Sequence, residues 1–346
     1  MSQVDLIDRA VVAVGRDQPD DYVLAPTRHA EELAGKAPAL ARLLRTAKIE
    51  TLARQYERLD RDALAAQRKF KRAMAWANWA VLVTAVLGAL IMVAGLLTGV
   101  LDQDVTRPLL VVFGIGAVLS GALASMCLFR VREGNLLEGW MSGRARAETA
   151  RLSYFSTLVE TSDDQPSELP PGLLKLEYFR RYQLDVQIAF YGGRGIDHDR
   201  SADKTLLLGG LAVAAAAVAS GTAGVLGAFD PVLAAVAAVG VIGTALAGFA
   251  ATREAVNQDR RNAERYGRTL SSLEILRGRL DEVRAGVLAG SQAVLEEYVA
   301  AVQEQLSLEH REWLSGAEST RSAIGKLDEA LAASQKEPAF AKGKPR

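Results

Sequence analysis

Four stretches of this chain contain no Asp, Glu, Lys or Arg, and each is long enough to cross a lipid bilayer. They are residues 76–100, 108–129, 205–228 and 231–251, about 21 to 25 residues apiece. At about 1.5 Å rise per residue such lengths cover the ~30 Å hydrocarbon core. Lipid offers no hydrogen-bond partner to a backbone, so an uncharged stretch of this length has to be helical. The intervening residues, Leu101 to Arg107 and Phe229-Asp230-Pro231, are short enough to close each pair into a hairpin. The expected fold is therefore an all-α membrane protein. It has four transmembrane helices arranged as two hairpins, continuous with a cytoplasmic bundle of long helices.

The flanking charges orient the hairpins. Arg68, Lys69, Lys71 and Arg72 precede the first arm, and Arg130 and Arg132 follow the second. Arg194, Arg200 and Lys204 precede the third, while Arg253, Arg260 and Arg261 follow the fourth. The opposite ends carry only Asp102, Asp104 and Arg107 in one turn and Asp230 in the other. The positive-inside rule places both termini in the cytoplasm, with Trp76 and Trp79 as anchors at the inner interface. No apolar core followed by a cleavage site marks a signal peptide in the first 18 residues, so the first arm is expected to direct insertion.

Outside the arms the chain reads as helix. Residues 1–27, with Pro19, Asp20, Asp21 and Pro26, are expected to form a flexible lead after a short helix. Residues 28–160 form a first helix–hairpin–helix unit, 161–172 a Pro- and Asp-rich linker, and 173–335 a second such unit with a C-terminal helix. Residues 336–346 form a basic, disordered tail. Ile49, Leu52, Tyr56, Leu59, Ala63, Ala66 and Phe70 are spaced alternately by three and four, a seam that predicts packing against another helix, and Tyr266, Leu270, Leu273 and Leu280 mark a second cytoplasmic seam. An amphipathic helix is expected from Leu173 to about Tyr191, broken by Gly192, Gly193 and Gly195. Long helices are expected to leave the membrane unbroken after the second and fourth arms. Leu59-Asp60 and Leu184-Asp185 precede their hairpins at similar distances, and Ala147-Glu148 and Ala263-Glu264 follow at similar depths, the pattern of a tandem duplication.

Signals of catalysis are nearly absent. His29, His198 and His310 lie on separate segments, Cys127 is the sole cysteine, and no HExxH or CxxC pattern occurs, so neither a metal nor a cofactor is expected. With 41 basic and 41 acidic side chains, no nucleic-acid partner is expected. The arms hold no ionisable residue of the kind that marks a coupled transporter. They do hold small and hydroxyl residues: Gly116, Ser120, Gly121 and Ser125 in the second, and Gly240, Gly243, Thr244 and Gly248 in the fourth. Small-xxx-small spacing allows helices to approach closely in lipid. These stripes serve either packing within one chain or a pore or oligomer interface.

Three segments carry a family resemblance: Arg180-Arg181-Tyr182-Gln183-Leu184-Asp185-Val186-Gln187-Ile188-Ala189-Phe190-Tyr191, Trp140 with Arg144-Ala145-Arg146-Ala147-Glu148, and Leu308-Glu309-His310-Arg311-Glu312-Trp313. With the helix–hairpin–helix plan, the chain resembles the SLATT superfamily, the SMODS- and SLOG-associating two-transmembrane effectors of bacteria, in two tandem copies. The resemblance implies a homo-oligomeric, pore-forming or membrane-disrupting effector of an anti-phage system in the bacterial inner membrane. It implies switching by a separate cytoplasmic signalling or sensor protein encoded nearby. A non-conducting scaffold and a constitutive ion channel are the alternatives.

Overall fold

The computed structural model describes residues 3–16, 21–97, 102–162, 165–226 and 235–335, and among these all regular structure is helical. In chain order the helices are α1 (Gln3–Val14), α2 (Pro26–Leu33), α3 (Pro38–Leu44), α4 (Ala47–Leu97), α5 (Gln103–Glu133) and α6 (Leu136–Glu160). There follow α7 (Pro171–Phe179), a π-helical segment (Arg180–Asp185), α8 (Val186–Leu226), α9 (Ala237–Asn257), α10 (Asp259–Gly278), α11 (Leu280–Leu288), α12 (Gln292–Ser315) and α13 (Ala317–Gln335). Four of these helices are long and apolar enough to cross a membrane, and each carries most of one charge-free stretch. The expected second turn and the C-terminal tail lie outside the described residues. The first turn is described from Asp102, which accepts from the Asp104 amide at 3.1 Å and starts α5 five residues before Pro108.

The chain divides into two compact units, and the division differs from two tandem repeats. One unit gathers Met1–Ala66, Glu138–His198 and Arg261–Ser315; the other gathers Gln67–Leu137, Asp199–Arg260 and Gly316–Arg346. Charged and aromatic segments from both sequence halves build the first, and all four arms belong to the second. We call them the polar-core unit and the span unit.

At the centre of the polar-core unit, every residue from Leu173 to Asp185 is buried. An amphipathic helix was the expectation; a helix enclosed on all sides is what forms. The π-segment Arg180–Asp185 changes the register of the side chains that follow it. Gly192, Gly193 and Gly195, expected to break the helix, lie within the unbroken α8. The breaks fall elsewhere. Asn135 (φ 44°) separates α5 from α6, and Gln258 (φ 52°) separates α9 from α10, each in the left-handed region. Further interruptions follow Gly278, Leu288 and Ser315. Local backbone conformation, not hydrophobic pattern, decides these positions.

Polar groups on the enclosed helix are paired in several directions. Arg180 donates from Nε to Glu177 Oε2 (2.6 Å), from Nη1 to Asp185 Oδ2 (2.5 Å) and from Nη2 to Gly15 O (2.7 Å). Arg181 donates to both carboxylate oxygens of Asp21, at 2.7 and 3.1 Å, and to Val14 O at 2.5 Å. Arg151 reaches Gln183, Tyr22 O, Tyr56 and Tyr182 O, and Arg284 reaches Glu177 at 2.8 Å. The carbonyls of Val14 and Gly15 stand at the C-terminus of α1, where a helix leaves its last C=O groups without internal partners. Gly15 takes φ +80° there, the left-handed ending that glycine adopts without steric cost.

The short N-terminal helix and the segment from Asp21 pack on the enclosed helix, while residues 17–20 of the expected flexible lead lie outside the described residues. Ala10, Ala13, Val14, Asp21 and Leu24 are all buried, because Arg180 and Arg181 bind the end of α1 and the segment after it. Removing one member of a buried ion pair strands the other charge and costs about 3–5 kcal/mol. Asp21→Ala is therefore expected to lower the thermal midpoint of the purified protein, read by circular dichroism. Asp102→Ala, at an exposed cap, is expected to move it much less, and equal shifts would contradict this account.

Candidate functional site

The first hairpin is joined by hydroxyls. Thr84 Oγ1 and Ser120 Oγ lie 2.8 Å apart, so one hydroxyl donates to the other, and the accepting hydroxyl gives its own proton to a carbonyl one turn back, Ala80 O for Thr84 or Ala117 O for Ser120. Gly116 lies against Leu87, whose Cδ1 would be 3.0 Å from an added Cβ. Gly121 and Ala124 are buried, and Ser125 is half-buried. Interhelical hydrogen bonds in membranes average about 0.6 kcal/mol, so Thr84–Ser120 registers the two helices more than it binds them.

In the second hairpin small residues do the packing. A Cβ added to Gly243 would fall 2.8 Å from Ala212 O and 2.9 Å from Ala216 Cβ. One added to Gly240 would fall 2.5 Å from Ser220 Oγ, and one added to Gly209 would fall 3.5 Å from Ala250 Cβ. The pairs Gly209–Ala250, Ala212–Gly243 and Ser220–Gly240 thus run along two antiparallel helices in close contact. The stripe Gly240-Thr244-Gly248 does not act as one face. Gly240 is buried, whereas Thr244 and Gly248 are exposed, and nothing lies within 4 Å of an added Gly248 Cβ. Thr244 bonds back to Gly240 O at 2.9 Å.

A residue that the sequence reading passed over ties the two hairpins together. Asn78, 7% exposed, donates from Nδ2 to the Phe249 carbonyl at 3.1 Å. Trp79 packs on the Phe249 ring with centroids 4.6 Å apart, and both Trp76 and Trp79 remain more than half exposed. Asn is uncharged, so a search for ionisable residues in the arms cannot find it. Helix α13 packs on α5 and α9 through Thr320, Ala323, Ile324, Leu327 and Leu331. Arg132 pairs with Asp328 at 2.7 Å, and Gln258 donates to Gly316 O and Thr320.

The outer surface of the arms is apolar. Only 11% to 28% of the most hydrophobic window of each spanning helix is buried within the chain. Val111, Val112, Ile115, Val118, Leu119, Leu206, Leu207, Leu211 and Val218 are exposed, while Asn78, Thr84 and Thr106 are buried. Such an arrangement is stable only when the surroundings are hydrocarbon.

The seam residues separate by unit. Tyr56, Leu273 and Leu280 are buried in the polar core, with Leu52, Leu59, Tyr266 and Leu270 packed against it; Phe70 is buried in the span unit. The segments that carried the resemblance meet in the polar-core unit. Trp140 and Trp313 pack edge to face at 5.3 Å, and Arg144 binds Asp60 (3.0 Å) and Glu148. Tyr191 donates to Glu309 at 3.2 Å, and Arg265 pairs with the same carboxylate at 2.9 Å. Burial raises the pKa of Glu309 and Asp60. His198 meets Tyr266 edge-on and His310 stacks on Trp313. Among the described residues no group of three or more His, Cys, Asp or Glu side chains could hold a metal ion.

His29 is enclosed by tyrosines. Its Nδ1 lies 2.8 Å from Tyr178 OH, its ring stacks on Tyr182 at 4.1 Å, and Tyr178 in turn bonds Tyr154 at 2.9 Å. Burial first, and then the charge of Arg28, push its pKa down to about 4. The unfolded chain therefore binds a proton near pH 6.5 that the folded chain refuses until about pH 4. Stability from this group is complete above about pH 6.5 and declines as pH falls toward 4.

No protein-family model, no curated protein and no solved structure matches the chain. Its fold defines its class: a multi-pass helical membrane protein with four spans and a separate unit built on a charged, aromatic core.

Two measurements check these sites. Gly243→Ala drives a methyl group into helix backbone and is expected to cost about 1–3 kcal/mol, whereas Gly248→Ala should be neutral, read by unfolding in mild detergent. His29→Gln should flatten the fall of the thermal midpoint between pH 6.5 and 5; an unchanged slope would contradict the assigned role.

Proposed function

We propose that this protein is a homo-oligomeric, pore-forming or membrane-disrupting effector of a bacterial anti-phage system. It resides in the inner membrane with both termini in the cytoplasm, and a separate cytoplasmic partner switches it. The observation that carries the reading is a second small-residue face. Gly210, Ala214, Ala217, Gly221 and Gly224 follow one another at alternating steps of four and three on α8, and all five are exposed. At 100° per residue they lie opposite Ala212 and Ala219, which are buried. Gly240 and Gly243 are already taken up by the partner helix, so contacts between chains fall to the outward face. Close approach of copies along that face is what small residues permit in lipid.

Two further features support the reading. Helices α4 and α8 each supply residues to both units, giving a covalent route from a signal received in the polar core to the spans. The resemblance to the SLATT superfamily supplies the biological setting, and the basic flanks supply the orientation.

Liposomes holding the purified protein should release a trapped dye or ion when the partner or its signal is added. Ala217→Leu and Gly221→Leu should abolish both that release and cross-linking between copies, while leaving the thermal midpoint near that of the unsubstituted protein. Silence with the correct partner present would refute conduction, and unimpaired cross-linking of the variants would refute this interface.

A further inference from the structure

At the basic end of the span unit, the first and fourth arms leave a cleft of about 260 Å³ between them. Its lining comes from one face of each helix. On α4 that face is Lys71, Met74 and Ala75, then Asn78 and Trp79; on α9 it is Phe249, then Thr252 and Arg253, then Val256 and Asn257. Among the described residues no carboxylate lines the cleft, and two of the ten lining residues are cationic.

The lining changes character with depth. The hydrogen bond from Asn78 to the Phe249 carbonyl sets those residues at one level, where Trp79 and Phe249 form an aromatic floor. Arg253 lies four residues further out along α9, about 6 Å at 1.5 Å per residue. Lys71 lies seven residues further out along α4, about 10 Å by the same measure. Val83, one turn deeper than Trp79, is exposed and continues the apolar surface toward the middle of the arm. The order from outside inward is therefore cation, aromatic amphiphile, aliphatic chain, which is the order a phospholipid presents in reverse sign and matching polarity.

We propose that this cleft is a binding site for an anionic phospholipid, with the headgroup phosphate held between Lys71 and Arg253. The glycerol region would rest on Trp79 and Phe249, and an acyl chain would pass down over Val83. The volume falls just below the range of about 300–1,000 Å³ typical of small-molecule sites, so it suits a headgroup and not a whole lipid. Arg253 offers the planar fork that matches phosphate oxygens, and Lys71 offers a compact charge on a flexible stem. Basic clefts between spanning helices at this depth select anionic headgroups over zwitterionic ones. The inference depends on membrane embedding and on this cleft alone, so it stands or falls separately from conduction.

Native mass spectrometry of the full-length protein, released from vesicles of equimolar phosphatidylglycerol and phosphatidylcholine, provides the test. Phosphatidylglycerol should be retained at least fivefold over phosphatidylcholine. The double substitution K71A/R253A should reduce that ratio to near one, K71R/R253K should preserve it, and Arg130→Ala, outside the cleft, should leave it unchanged. Millimolar inorganic phosphate added to the detergent-solubilised protein should not raise the thermal midpoint, whereas phosphatidylglycerol should. Equal retention of the two lipids, an unchanged ratio in K71A/R253A, or a phosphate effect equal to that of the lipid would overturn the proposal.

Discussion

A guanidinium removed from water must find carboxylates and carbonyls around it, because the bare charge in a low-dielectric interior is far too costly. In the polar-core unit, three arginines meet this requirement at once. Arg151, Arg180 and Arg181 bind the Asp21 and Asp185 carboxylates, the ends of α1 and the backbone at Tyr22 and Tyr182. Their demands explain why a thirteen-residue stretch can be buried on all sides without being apolar. They also explain why the N-terminal helices are ordered. Two carbonyls at the end of α1 accept from the two arginines on the enclosed helix.

The span unit inverts this chemistry. Its interior holds Asn78, Thr84, Ser120 and the small residues Gly240 and Gly243, while its exterior holds Val, Leu and Ile. Hydrocarbon gives no drive to bury an aliphatic side chain, so close backbone approach and a few hydrogen bonds hold the arms together. The inner contacts of α8 and α9 use one set of small residues. The outer face of α8 carries another, and that surplus is the reason for reading the chain as one member of an assembly.

Much of this was legible in the chain itself. Four uncharged stretches demanded helices, and spanning helices form there. The Gly240–Thr244–Gly248 spacing was legible too, but its meaning was not. A helix face is about 100° per residue, and only the position of α8 decides that Gly240 is covered while Gly248 is open. The helix from Leu173 reads as amphipathic, and its burial on all sides is not legible, for a similar reason. Arg180 and Arg181 look solvated until Gly15 and Asp21, 165 and 160 residues away in sequence, are brought beside them.

The sequence by itself determined that this is an all-helical, four-span membrane protein, because an uncharged stretch of about 21 to 25 residues matches the length of a spanning helix, which satisfies its own backbone in lipid. Tertiary structure decided which charges are buried, where the long helices break and which small residues touch. Those outcomes depend on pairing between distant segments. Arg181 needs Asp21, Asn78 needs the Phe249 carbonyl, and Gly243 needs the backbone of Ala212, and no local pattern specifies any of these partners.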